Sequence, residues 1–168
     1  MKVIHALFFA CVSIPALAHI NIPQNLSVPN DQRLSLQLDA AGVQIYECLP
    51  KKDDPTKYEW SLKAPEAKLF DSEGKQLGKH YAGPTWELND GSKVVGELKA
   101  KSDSPESNSI PWLLLNAKSN AGSGKLSEVK SIQRVDTHDG KLSQSTCDKA
   151  NEGKENRVNY KATYYFYK

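Results

Sequence analysis

The chain has 168 residues, 39% hydrophobic and 25% charged, a length and balance that suit one domain with its own core and exclude disorder throughout. A formal net charge of +2 is too small for a protein built to coat nucleic acid or an anionic membrane surface. Nine prolines and ten glycines exclude a bundle of long helices and a multi-span membrane protein.

Residues 1–18 read as a signal peptide. Met1 and Lys2 give a short positive start, Val3 to Leu17 is mostly apolar, and Ala16-Leu17-Ala18 offers small side chains at the two positions a signal peptidase inspects. The apolar stretch is too short for a spanning helix. The expectation is an exported protein, periplasmic or extracellular, whose mature chain starts at His19 and keeps no membrane span. Export also changes the meaning of the cysteines. With Cys11 in the leader, Cys48 and Cys147 remain in a compartment that permits disulfides, and a bridge between them is the favoured reading over two separate buried thiols.

After the leader, residues 19–33 hold two prolines and three asparagines and read as an extended arm lying on the domain. Residues 34–168 form a single β domain. Residues 33–38 alternate polar and apolar, as do Val43 to Cys48, where Val43, Ile45 and Glu47 share one face and Gln44, Tyr46 and Cys48 the other. Tyr58 to Leu62 and Ala67 to Phe70 are further predicted strands. Thr85 to Leu88 runs into Asn89-Asp90-Gly91, a tight-turn signal, and Val94 to Leu98 leaves it. Ile110 to Ala117 is the most apolar run of the mature chain and reads as a buried strand. Leu126 to Thr137 repeats apolar residues every three positions, yet its β-branched content favours a strand. Val158 to Tyr167 is a strand rich in aromatics, with Tyr165 and Tyr167 on one face and Tyr164 and Phe166 on the other. About nine or ten short strands without βαβ alternation predict an all-β antiparallel sandwich or barrel.

Several segments carry a resemblance. They are Gly42 to Cys48, Ala64 to Asp71, the run Gly78-Lys79-His80-Tyr81-Ala82-Gly83-Pro84-Thr85-Trp86-Glu87, Asp90-Gly91-Ser92, Trp112 to Leu115, Ile132 to Thr137 and Tyr160 to Tyr167. Together they resemble the DUF3455 family of exported bacterial and fungal proteins, over Leu34 to Tyr167, with the GxHxxGPxWE run and the DGS after it as the most specific parts. The family is named for its unknown function, so the resemblance implies no activity. A malate dehydrogenase label carried by some fungal members does not transfer, since this chain has no GxGxxG after a strand and no room for a nucleotide domain. One departure stands out: paired glycines often follow the Arg-Val-x-Thr run in such sequences, and here His138-Asp139-Gly140 takes their place.

Chemistry-bearing residues concentrate between Gly78 and Glu87. His80, Tyr81, Trp86 and Glu87 are candidate ligand-binding residues, because each pairs an apolar body or stem with a polar tip beside glycines that allow close approach. Packing at a sharp corner is the competing reading. Arg134 joins them as a cation able to clamp an anion bidentately, against an ordinary surface ion pair. The leading expectation is a non-catalytic, disulfide-bonded module that binds a small molecule, glycan or protein, with no cofactor and no nucleic acid. An enzyme using His80 as general acid/base, with Glu87 or Asp90 as partner, is the alternative. A third reading is copper held by the free amine and ring of His19, completed by a second histidine such as His80. No GxSxG, HExxH or CxxC is present, and Gly122-Ser123-Gly124-Lys125 lacks the ends of a phosphate loop.

Overall fold

Eight antiparallel strands, each hydrogen-bonded to the next, close into a barrel when the last pairs with the first. They are β1 (Leu34–Pro50), β2 (Tyr58–Phe70), β3 (Gln76–Tyr81), β4 (Thr85–Leu88), β5 (Lys93–Ser102), β6 (Trp112–Ala121), β7 (Ser131–Asp139) and β8 (Glu155–Tyr167). The structure is a computed structural model that describes residues 20–143 and 145–168. The expected signal peptide and cleavage site, with Cys11 and His19, lie outside the described residues.

The class is the all-β one expected, and closure selects the barrel over the sandwich. The count of about nine or ten strands is corrected to eight among the described residues. Two pairs of expected strands merge, because Ala40-Ala41-Gly42 and Ala64-Pro65 continue β1 and β2 instead of ending them. At Gly42 a Cβ would lie 2.1 Å from the Glu66 carbonyl oxygen, so only glycine lets the two strands approach that closely. In the other direction, Gln76–Tyr81 is a strand that the corner reading hid. Strand structure in the Leu126 segment begins only at Ser131; Leu126 and Val129 sit in the preceding turn, fully buried.

Inward-facing residues divide the interior into two zones. At one end Leu69, Leu88, Val94, Ile132 and Phe166 pack together, and the β6–β7 turn closes that end by inserting Leu126 and Val129. Toward the other end the inward residues turn polar: Gln44, His80 and Arg134 are all buried, alongside Trp86, Tyr160 and Tyr164.

The barrel wall is uneven because the middle hairpin is short. Along β2, pairing with β3 stops at Ala67, and along β5 pairing with β4 stops at Val95. Residues 58–66 and 96–102 therefore face each other across a gap above the β3–β4 turn. Pro65, which has no N–H to give a ladder, occupies this unpartnered edge.

Outside the barrel, the arm folds against β6, β7 and β8. Leu26, within the short 3-10 turn Gln24–Leu26, is completely buried on Trp112, Leu114 and Val135, with Ile20, Ile22, Val28 and Tyr165 around it. The Gln133 side chain bolts this contact, donating from Nε2 to the Leu26 carbonyl at 2.6 Å and accepting from the Tyr167 hydroxyl at 2.6 Å. Trp112-Leu113-Leu114-Leu115 is thus apolar on both faces for two reasons: Leu113 and Leu115 point inward, and Trp112 and Leu114 lie under the arm. Cys48 and Cys147 are joined, with Cα atoms 5.5 Å apart. The bridge ties β1 to the long β7–β8 connection, which Trp60 also holds through Nε1 to the Ser145 carbonyl at 3.0 Å. A link across 99 residues removes roughly 4–5 kcal/mol of chain freedom from the unfolded state in the loop-entropy account.

Candidate functional site

The gap between β2 and β5 opens into a cavity of about 550 Å³. Roughly 300–1,000 Å³ is the usual range for cavities that take small molecules. Its mouth is apolar: Leu62 and Leu98 stand on opposite rims at 57% and 55% exposure, unusually high for leucine, with Pro84 as the sill. Leu113 and Leu115 continue the apolar wall inward. The depth is polar, formed by Gln44, His80, Trp86, Arg134 and Tyr164.

Each of these side chains is placed by the alternation of its strand. His80 on β3 and Trp86 on β4 are direct cross-strand partners, and their rings stack at 4.4 Å between centroids with planes 13° apart. Trp86 pairs with Val94 on β5, and its indole fits because Gly96, two residues on, has no side chain; a Cβ there would come within 2.9 Å of the ring. Tyr164 on β8 meets both rings edge-on, at 5.1 and 5.3 Å, and is itself the cross-strand partner of Arg134 on β7.

Hydrogen bonding fixes the state of His80. Nδ1 lies 2.8 Å from the Thr85 carbonyl oxygen, which can only accept, so Nδ1 carries the proton. Burial drives the imidazole pKa down to about 3 from an ordinary 6.5, and the Arg134 charge pushes the same way. His80 is therefore neutral near pH 7, and its Nε2 is a bare acceptor.

Around it, donors outnumber their partners. Trp86 Nε1, Gln44 Nε2 and the Tyr164 hydroxyl are buried without a hydrogen-bond partner, and so is the Tyr160 hydroxyl behind them. Burial raises the pKa of both tyrosines, so both hydroxyls keep their protons. Arg134 is only 8% exposed. Its Nε and Nη2 both donate to the Pro111 carbonyl, at 3.1 and 2.8 Å, which leaves Nη1 over. It makes no salt bridge among the described residues, and residues 1–19 contain no Asp or Glu. A buried guanidinium without a carboxylate is costly, and in this barrel its charge faces a cavity.

Of the residues singled out in the sequence, the fold brings His80, Trp86 and Arg134 together and turns two away. Tyr81 and Glu87 point to the outer surface, where the Tyr81 hydroxyl donates to Glu87 Oε2 at 2.6 Å and Lys79 Nζ lies 3.4 Å from Glu87 Oε1. The cause is period-two alternation across a tight hairpin, which keeps 80 and 86 on one face and 79, 81 and 87 on the other. Glu87 thus cannot serve His80 as an acid/base partner. Neither can Asp90: its carboxylate accepts from Ser92 N, Ser92 Oγ and Lys125 N at 2.9, 2.6 and 2.9 Å, bonds that lower its pKa.

Gln44, Tyr164, Leu62 and Leu98 were not singled out. Gln44 did carry a signal, since it is in phase with Leu36, Leu38 and Ala40 of the same strand, the inward set. The exposed leucines carried none; they become meaningful only once the gap between distant strands is seen. Among the described residues no group of three or more His, Cys, Asp or Glu is placed to hold a metal ion. His138, exposed, pairs with Glu106 at 2.8 Å.

A family model described as "Protein of unknown function (DUF3455)" matches residues 29–168. The chain belongs to DUF3455. Comparison with curated proteins and with solved structures gives no match. The geometry separates the two motifs of this DUF3455 domain by task. GxHxxGPxWE delivers His80 and Trp86 to the cavity, with Gly83-Pro84 as its sill. DGS is a staple: Asp90 holds the β6–β7 loop, and Ser92 Oγ accepts from Leu126 N at 3.1 Å, seating the plug of the packed end. The departure at His138-Asp139-Gly140 also finds its place. Asp139 adopts φ 59° and Gly140 φ 86°, so the aspartate takes a left-handed conformation that glycine would adopt more easily.

Proposed function

We propose that this DUF3455 domain is an exported, non-catalytic binding protein that takes a small amphipathic molecule into its barrel through the gap between β2 and β5. The observation that supports it is a cavity with leucines at its mouth whose depth gathers Gln44, His80, Trp86, Tyr164 and a buried Arg134 that makes no salt bridge among the described residues. A buried charge left unpaired beside an opening is stabilised by a molecule that compensates it. A bound molecule would present its polar end to the depth and its apolar body to Leu62, Leu98, Leu113 and Leu115.

Catalysis by His80 as general acid/base has less support. A group that titrates at about 3 is a poor proton carrier near neutrality, and no carboxylate reaches it among the described residues.

The test uses oxidised protein lacking residues 1–18 and the neutral fluorophore N-phenylnaphthylamine. Saturable binding at one site is expected, lost in Leu113→Trp, which fills the cavity, with circular dichroism showing that the variant folds. Absence of binding, or binding that survives in folded Leu113→Trp, would overturn the proposal. Export is checked separately: Edman sequencing of secreted or periplasmic material should begin at His19.

A further inference from the structure

We infer that the molecule held in the cavity is a monocarboxylate with an apolar body, its carboxylate paired with Arg134. The inference rests on the cavity-binding reading above and names the ligand's chemistry.

Three observations converge on it. First, Arg134, which can only donate, lines the depth of the cavity and has Nη1 free of its contact with the Pro111 carbonyl. Acceptors on the same lining are His80 Nε2, the Gln44 amide oxygen and the Tyr164 hydroxyl, none of them charged. A cationic donor set among neutral groups is complementary to an anionic oxygen acceptor.

Second, Arg134 is a buried cation with no carboxylate partner from the chain. An anion from outside would compensate it, and the planar guanidinium matches the geometry of a carboxylate. One arginine is also a count. Lys63 and Lys118 line only the outer part of the cavity, and Lys63 is engaged by Glu47 and Glu155 at 3.0 and 2.9 Å. A single deep cation balances a single negative charge and leaves a phosphate dianion undercompensated.

Third, much of the remaining wall is apolar, although Lys63, Glu97 and Lys118 also line it. Leu62, Leu98, Leu113 and Leu115 with Pro84 line the route from the mouth, so the body attached to the carboxylate must be hydrophobic enough to gain from burial there. Polar head inward and apolar body toward the mouth is the one orientation that satisfies both halves.

The experiment compares decanoate, decanol and decylamine as displacers of N-phenylnaphthylamine from the oxidised protein at pH 7. Decanoate is expected to displace about tenfold or more better than decanol, with decylamine weakest. In Arg134→Gln, shown to fold by circular dichroism and titrated directly with each compound by calorimetry, the preference for decanoate over decanol should fall to near one. Decanol matching decanoate in the parent protein, or Arg134→Gln keeping the preference, would overturn the carboxylate assignment and leave the cavity reading standing. Failure of the fluorophore itself to bind the parent protein would remove the cavity reading and this inference with it.

Discussion

The two ends of this barrel's interior follow different rules. Around Leu69, Leu88, Ile132 and Phe166 the space is filled by apolar side chains and sealed by Leu126. Around Gln44, His80, Arg134 and Tyr164 it is polar, partly hollow and open through the wall. Each leucine or phenylalanine buried in the first zone contributes about 1.5–3 kcal/mol, whereas each partnerless polar group in the second costs a comparable amount. The packed end stabilises the fold and the hollow end lowers its stability, which on the proposed reading is the cost of a recognition surface.

That contrast can be broken or sharpened by substitution. The largest effect belongs to the packed end: Phe166→Ala should cost about 3–5 kcal/mol, read from urea midpoints. A loss below about 1 kcal/mol would mean that this end is not close-packed.

Next comes acid. His80 is neutral when folded and has its pKa held at about 3, below the unfolded value of 6.5, so only the unfolded chain takes up a proton between these limits. Its contribution is complete above pH 6.5 and shrinks as pH falls toward about 3, by about 1.4 kcal/mol per pH unit. From pH 6.5 to pH 5 the parent protein should therefore lose about 2 kcal/mol more than His80→Gln. Parallel pH profiles would show that the imidazole is not desolvated.

Of similar size is Asp90→Ala, which removes the acceptor for Ser92 and Lys125 and unseats Leu126. A cost of about 2 kcal/mol is expected, with faster amide exchange in the β6–β7 turn. Unchanged exchange would mean that the plug holds without the DGS staple. The smallest effect has the opposite sign. Arg134→Met should raise stability, by up to about 2 kcal/mol, because an apolar side chain in that place needs no counter-charge. A clear loss instead would show the guanidinium serving the fold through Pro111 and not only the cavity.

Much of the scaffold was legible in the sequence. Alternation marked β1, the Asn89-Asp90-Gly91 turn marked β4 and β5, aromatic and β-branched content marked β8, and the cysteine count with Cys11 assigned to the expected leader marked the pair that is joined. What could not be read was continuity: small residues and one proline looked like breaks in β1 and β2, because a bend and a break have the same local composition. At the site, His80 and Trp86 were visible through their motif, and the β3–β4 pairing is what sets them on one face and Glu87 on the other. Arg134 read more readily as a surface ion pair than as a clamp, because its inward direction depends on the phase of β7 against β8; the described residues give it no salt bridge. Whether Tyr165 would be bare or covered likewise depended on a distant segment, and Leu26 with its neighbours covers it.

The short β3–β4 hairpin has one more consequence. A meander whose middle pair stops early has a doorway whose threshold height is a matter of strand length. Extending both strands by one residue would raise that threshold by about 3.4 Å, and trimming them would lower it. On the proposed reading, insertions or deletions around residues 82–84 would set how bulky a guest gets in while leaving the residues inside unchanged.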